Sequence, residues 1–154
     1  MNTPTPPSSP PWGGSSLALL LREIRAAFWT QMEAELRAAG HELNFSQYIT
    51  LKHLADGSAS VTDLAGVAQL NPGAMTRLLD KLEQRGIVAR VADPNDRRAL
   101  RIHLTEVGVA IWNDINHCGQ GVRERATRGM SDADSEILIR LLTQIRDNLS
   151  SSER

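Results

Sequence analysis

Apolar positions recur along most of this chain at the spacing of one helix face. In residues 17–39 they fall at Leu17, Leu20, Leu21, Ile24, Phe28, Met32 and Leu36, and Gly40 supplies the stop. Residues 46–55 repeat the pattern with Tyr48, Ile49, Leu51 and Leu54, Ser46 standing as N-cap, and Asp56-Gly57-Ser58 reads as a turn. A shorter stripe, Val61, Leu64, Ala65 and Ala68, follows Ser60 and Asp63, which have the spacing of a capping box. After a tight turn at Gln69-Leu70-Asn71 comes a stronger stripe: Met75, Leu78, Leu79 and Leu82. Asn71 is its N-cap, Pro72 its first helical residue, and Gly86 its stop just after Arg85.

The period then changes from helical to alternating. Ile87 to Val91 reads as a strand, Asp93-Pro94-Asn95-Asp96 as a turn, and Leu100, Ile102 and Leu104 alternate with Arg101 and His103 in a return strand. Thr105 caps a helix that begins at Glu106 and carries Val109, Ile111, Trp112 and Ile115; Gly119 and Gly121 predict a bend in its middle. Ser131-Asp132-Ala133-Asp134 opens a last helix with the stripe Ile137, Leu138, Leu141, Leu142, Ile145 and Leu149. The expected class is mainly α with one small β-hairpin. Short helix, tight turn, second helix and hairpin in series make a helix-turn-helix with a wing, whose second helix enters the major groove of DNA.

Charge supports that order. From Asn71 to Leu104 there are seven Lys/Arg against four Asp/Glu, a local net of +3, whereas the whole chain is −1. The outward face of the second helix holds Gly73, Thr76, Arg77, Asp80 and Lys81, and the hairpin turn adds Arg97 and Arg98. A basic helix beside a basic hairpin is a candidate footprint for DNA. The alternative is a solvated helix with a surface hairpin.

LAGVAQLNPGAMTRLLDKLEQRGIV followed by DPNDRRALRIHLTEVG resembles the winged-helix domain of MarR-type bacterial transcriptional regulators, with Asp96, Arg98, Ala99, Leu104, Thr105 and Gly108 as the most specific positions. The likeness runs over roughly residues 17–149. One departure falls at Gln69, where such proteins usually have glycine; the residue must accept a strained turn or the turn must differ. The resemblance implies one regulator domain over 17–154, with its DNA-binding part at 46–104 and dimerisation helices at 17–40 and 105–150. It implies a homodimer on a pseudo-palindromic, inverted-repeat operator, acting as a repressor released by a small aromatic acid or phenol. The candidate DNA contacts are Asn71, Pro72, Gly73, Ala74, Thr76, Arg77 and Lys81 on the helix and Asp96, Arg97 and Arg98 on the wing, with Asp96 either orienting the Arg98 guanidinium or merely capping the turn while Arg98 is solvated. The candidate effector cleft is lined by Trp29, Met32, Tyr48, Met75, Arg77 and Trp112, aromatic walls with one cation.

Composition excludes other classes. The chain has 154 residues, one domain's worth, and a single cysteine, so no internal disulfide framework. There is no apolar run near the length of a membrane span and no secretory signal, so a cytoplasmic location is expected. Residues 1–16 hold five of the seven prolines and read as a disordered tail, in which Trp12 alone is suited to docking. No phosphate-binding loop, nucleophile elbow or catalytic set is present, and no cofactor is expected. Cys118 beside His117, with His41, His53, His103, Glu42 and Glu106, leaves a redox- or metal-sensing regulator as one alternative, although no pair has compact ligand spacing. A helical interaction module that binds no DNA is the other.

Overall fold

The structure, a computed structural model, describes residues 16–96 and 98–151. Apart from Ser16, the proline-rich tail lies outside the described residues, as does Arg97. The elements follow in the order α1 (Leu17–Ala38), α2 (Phe45–Ala55), α3 (Val61–Val67), α4 (Pro72–Gln84), β1 (Val88–Ala92), β2 (Leu100–Leu104), α5 (Glu106–Ala126) and α6 (Asp132–Ser150). No helix among the described residues is long and apolar enough to cross a membrane.

Side-chain caps fix most helix starts. The Ser60 and Ser131 hydroxyls accept from the backbone N–H groups of Asp63 and Asp134, whose carboxylates accept in return. Those bonds to the charged form hold both carboxyls below the usual Asp range. Thr105 caps α5 through the Gly108 N–H. The second helix departs from expectation: its N-cap is Asn44, not Ser46. The Asn44 side-chain Oδ1 accepts from the Gln47 N–H at 2.9 Å while the Gln47 side-chain Oε1 accepts from the Asn44 N–H at 3.0 Å. Two orphan donors are met at once, which Ser46 could not have done.

The core runs through every layer but the last helix. Met32 and Leu36 of α1, Leu51 of α2, Leu64 of α3, Leu79 and Leu82 of α4, Ile102 of β2 and Ile115 of α5 are all buried. Truncating one such leucine to alanine costs about 2–5 kcal/mol. The long α5 packs across α1 and α2. It runs as one uninterrupted helix through Gly119 and Gly121. At Gly119 a Cβ would meet the Met32 methyl at 3.4 Å and the Tyr48 hydroxyl at 3.6 Å, ordinary contact distances, so the position does not require glycine. By contrast α6 has no buried residue.

Candidate nucleic-acid interface

The turn between α3 and α4 sets the angle of the candidate recognition helix. Gln69 adopts φ +52°, so it accepts the left-handed conformation that favours glycine. The Leu70 N–H then returns to the Ala65 carbonyl at 2.9 Å and closes α3. Asn71 caps α4 by accepting from the Ala74 N–H at 2.8 Å, and Pro72 follows where its missing N–H is no loss. Met75, Leu78, Leu79 and Leu82 bury one face of α4, which leaves Gly73, Thr76, Arg77, Asp80 and Lys81 outward. Thr76 donates its hydroxyl to the Pro72 carbonyl at 2.9 Å and keeps its oxygen lone pairs for another donor.

Charge on α4 is segregated. Arg77, Lys81 and Arg85 stand at successive i, i+4 positions along one edge, exposed and without an ion-pair partner among the described residues. Asp80 and Glu83 stand on the other edge, and both are held by Arg90 of β1: Nη2 lies 2.6 Å from Asp80 Oδ1, and Nη1 bonds Glu83 Oε2. Arg101 is occupied as well, donating from Nε to the Ser58 hydroxyl at 2.7 Å and from Nη2 to the Ser58 carbonyl at 2.5 Å, with Asp93 at 3.7 Å. Two of the seven cations counted in the sequence therefore belong to internal pairs.

The wing is a two-stranded antiparallel ladder in which Arg90 faces Ile102 and Val91 faces Arg101. A third segment joins it: Ala59 and Ile102 exchange both backbone hydrogen bonds, at 2.8 and 3.2 Å. Nothing in the local pattern marked Ala59 for this, since a single bridging residue has no period. In the turn, Asp96 Oδ1 accepts from the backbone N–H of Arg98 at 2.9 Å, and Arg98 is exposed, with no ion-pair partner among the described residues. The expected carboxylate–guanidinium pair is thus absent from this chain; Asp96 caps the turn instead. The wing is tied to the base of α4 by Thr105, whose N–H reaches the Ile87 carbonyl at 3.0 Å and whose hydroxyl reaches that of Gly86 at 2.5 Å.

Three of the six candidate effector residues come together. Trp29, Tyr48 and Trp112 form a ring ladder, with centroids 5.9 and 6.1 Å apart, and Phe45 continues it against Trp29 at 5.2 Å. Burial raises the Tyr48 hydroxyl pKa, so it stays a neutral donor. Met32 and Met75 are fully buried core, and Arg77 is exposed on α4. A surface cavity of about 330 Å³ is lined by Glu33, Arg37, His41, Glu42, Leu43 and Asn44, none of them in the candidate set.

The metal and redox alternatives gain little. Among the described residues no three His, Cys, Asp or Glu side chains gather as metal ligands. Cys118 is half-buried, and burial with the nearby Glu35 carboxylate pushes its thiol pKa up, away from a reactive thiolate.

A helix-turn-helix with a basic edge on its second helix, backed by a hairpin, defines a winged-helix fold. Residues 43–100 match the MarR family. A mutant E. coli MarR complexed with operator DNA is similar at 24% identity and a TM-score of 0.71, with 84% of this chain and 92% of that one covered. Bordetella bronchiseptica BpsR, whose DNA binding is regulated by 6-hydroxynicotinic acid, is similar at 21% identity and 0.74, covering 90% and 99%. A further transcriptional regulator matches at 26% identity and 0.74, covering 86% and 97%. Residues 43–100 thus carry the MarR-family segment, and the chain as a whole has the winged-helix fold of these regulators.

Proposed function

We propose that this chain acts in the cytoplasm as a homodimer that represses transcription from an inverted-repeat operator and releases it when a small aromatic acid or phenol binds. The observation that carries the DNA part is the unpaired basic edge of α4 beside an unpaired Arg98 on the wing. Asn71 to Lys81 enter the major groove, where base edges offer a distinct donor and acceptor code. Arg77 is the base-reading residue, guanine its natural partner, with Thr76 and Lys81 beside it. Arg98 and its neighbour Arg97 take the flanking minor groove or backbone.

Dimerisation is supported by the apolar residues that the single chain leaves uncovered, Leu20, Ile24 and Phe28 on α1 and Ile137, Leu138 and Leu141 on α6. Two copies would read half-sites about one DNA turn apart, roughly 34 Å. The effector reading is supported by the Trp29–Tyr48–Trp112 ladder at the junction of α1, α2 and α5, and by the precedent of BpsR. An effector acts only through its different affinity for DNA-competent and incompetent forms.

Footprinting across the intergenic region beside its gene, with and without a panel of benzoates and phenols, tests the whole reading. Arg77→Ala should cost about 1–3 kcal/mol on the protected site and relax specificity there. Arg98→Ala should weaken binding on all sequences and lower the salt slope by about one. Unchanged affinity at millimolar acids and phenols would remove the effector; unchanged affinity of both variants would remove the DNA assignment.

A further inference from the structure

We propose that Arg90 is a positioning residue for DNA binding: by holding Asp80 and Glu83 it takes two carboxylates out of the field that α4 presents to DNA phosphates. The proposal rests on the reading that α4 meets DNA.

The geometry is specific. Asp80 and Glu83 lie one turn apart on α4, and the guanidinium of Arg90 reaches both, one from each terminal nitrogen. Arg90 comes from the middle of β1, where its register partner is the buried Ile102, so its stem lies over the core. Its side chain is 21% exposed, against 50% and 41% for its two partners. With both ends of the fork engaged, Arg90 is not itself free to grip a phosphate. Its effect must pass through the carboxylates.

That effect is electrostatic. Asp80 is next to Lys81 and one turn from Arg77, well inside the screening length of about 8 Å at physiological ionic strength. Unpaired, the two carboxylates would cancel much of the attraction of Arg77 and Lys81 and repel the phosphates that those cations approach. Paired, they leave α4 with a net positive outward field, and Asp80 has less capacity to accept from a base edge. The arrangement also explains why a helix with acidic residues beside its basic edge serves a polyanion.

The test uses the full chain and the tightest duplex that the parent selects from a randomised pool. Arg90→Ala should bind it about tenfold more weakly, since like charges would then face one another. The deficit should shrink as salt rises, because the repulsion between the exposed carboxylates and the phosphates is screened. The triple variant Arg90→Ala, Asp80→Asn, Glu83→Gln should recover affinity to within about threefold of the parent, because the carboxylates have gone with their partner. A purely structural role for Arg90 predicts no such rescue. Arg90→Gln keeps much of the stem without the charge; it is expected to match Arg90→Ala, and it decides the matter if the alanine variant melts below the assay temperature. Arg90 variants at parent affinity, or a triple variant as weak as the single one, would overturn the proposal. Arg77→Ala runs alongside. If it weakens binding while the Arg90 variants do not, only this proposal fails; if it too binds like the parent, the reading of α4 fails with it.

Discussion

Asp96 Oδ1 accepts a hydrogen bond from the backbone N–H of Arg98 at 2.9 Å, and the Ala99 N–H returns to the Asp96 carbonyl at the same distance. The carboxylate thus shapes the wing turn rather than gripping the guanidinium two residues on. Two substitutions separate these roles. Asp96→Asn and Asp96→Ala remove the same charge, but only asparagine keeps the accepting oxygen. Asp96→Asn should therefore bind DNA as tightly as the parent, and Asp96→Ala should bind several-fold more weakly without a change in salt slope. Equal loss in both, read by fluorescence anisotropy, would show that the charge matters and the turn does not.

Gln69 sits at φ +52° in the turn that sets the angle between α3 and α4. Left-handed backbone costs a side-chain-bearing residue about 1–2 kcal/mol, and glycine loses about 0.5–1 kcal/mol through its freer unfolded chain. Gln69→Gly should therefore stabilise by about 0.5–1 kcal/mol and raise Tm by roughly 1–4 °C. A calorimetric Tm equal to or below the parent's would show that the strain is already relieved by the surrounding turn.

Two glycines of α5 should respond with opposite signs. A methyl at Gly108 would collide with the Ile87 carbonyl oxygen, which the Thr105 N–H holds, and stand 3.3 Å from Leu104 Cβ, which belongs to the wing ladder. Gly108→Ala should destabilise by about 1–3 kcal/mol. At Gly119 the nearest atom is the Met32 methyl at 3.4 Å, the end of a flexible chain, and alanine gains about 1 kcal/mol of helix propensity. Gly119→Ala should therefore be neutral or stabilising. Urea melts of the two variants check both signs; similar losses would mean that α5 cannot adjust at either place.

These positions also show what can be read along the chain. Caps are local, so Ser60 with Asp63, Asn71 with Pro72, Thr105, and Ser131 with Asp134 were legible from residue types three apart. The same rule applied to Asn44 and Gln47 would have found the start of α2. The pairs that decide the electrostatics were not legible. Arg90 meets its carboxylates across the turn after α4, and Arg101 meets Ser58 forty-three positions away. A charge count treats such cations as free, which is why the basic footprint shrinks to Arg77, Lys81, Arg85 and the wing tip once the chain is folded. Gly119 shows the same limit: its low propensity is a local property, while the continuity of α5 goes with its packing on α1 and α2.

The last prediction concerns α6, the one long helix with no buried residue. Its capping box shows that it starts cleanly at Asp132, yet Ile137, Leu138 and Leu141 are exposed and Ile145 is only half-buried. A helix of 19 residues gains little stability from propensity alone, so a stripe of this length needs a surface to cover it. The proposed cover is a second copy, bringing its own α1 and α6. Leu141→Asp with Ile145→Asp would place two charges where that contact forms, at a cost no partner offsets. Because neither residue belongs to the single-chain core, the winged-helix part should remain folded. Light scattering should report one chain where the parent shows two, circular dichroism should retain most of the helix signal, and operator affinity should fall because two half-sites are no longer linked. A double variant that stays dimeric and holds its operator at parent strength would place the dimer contact elsewhere.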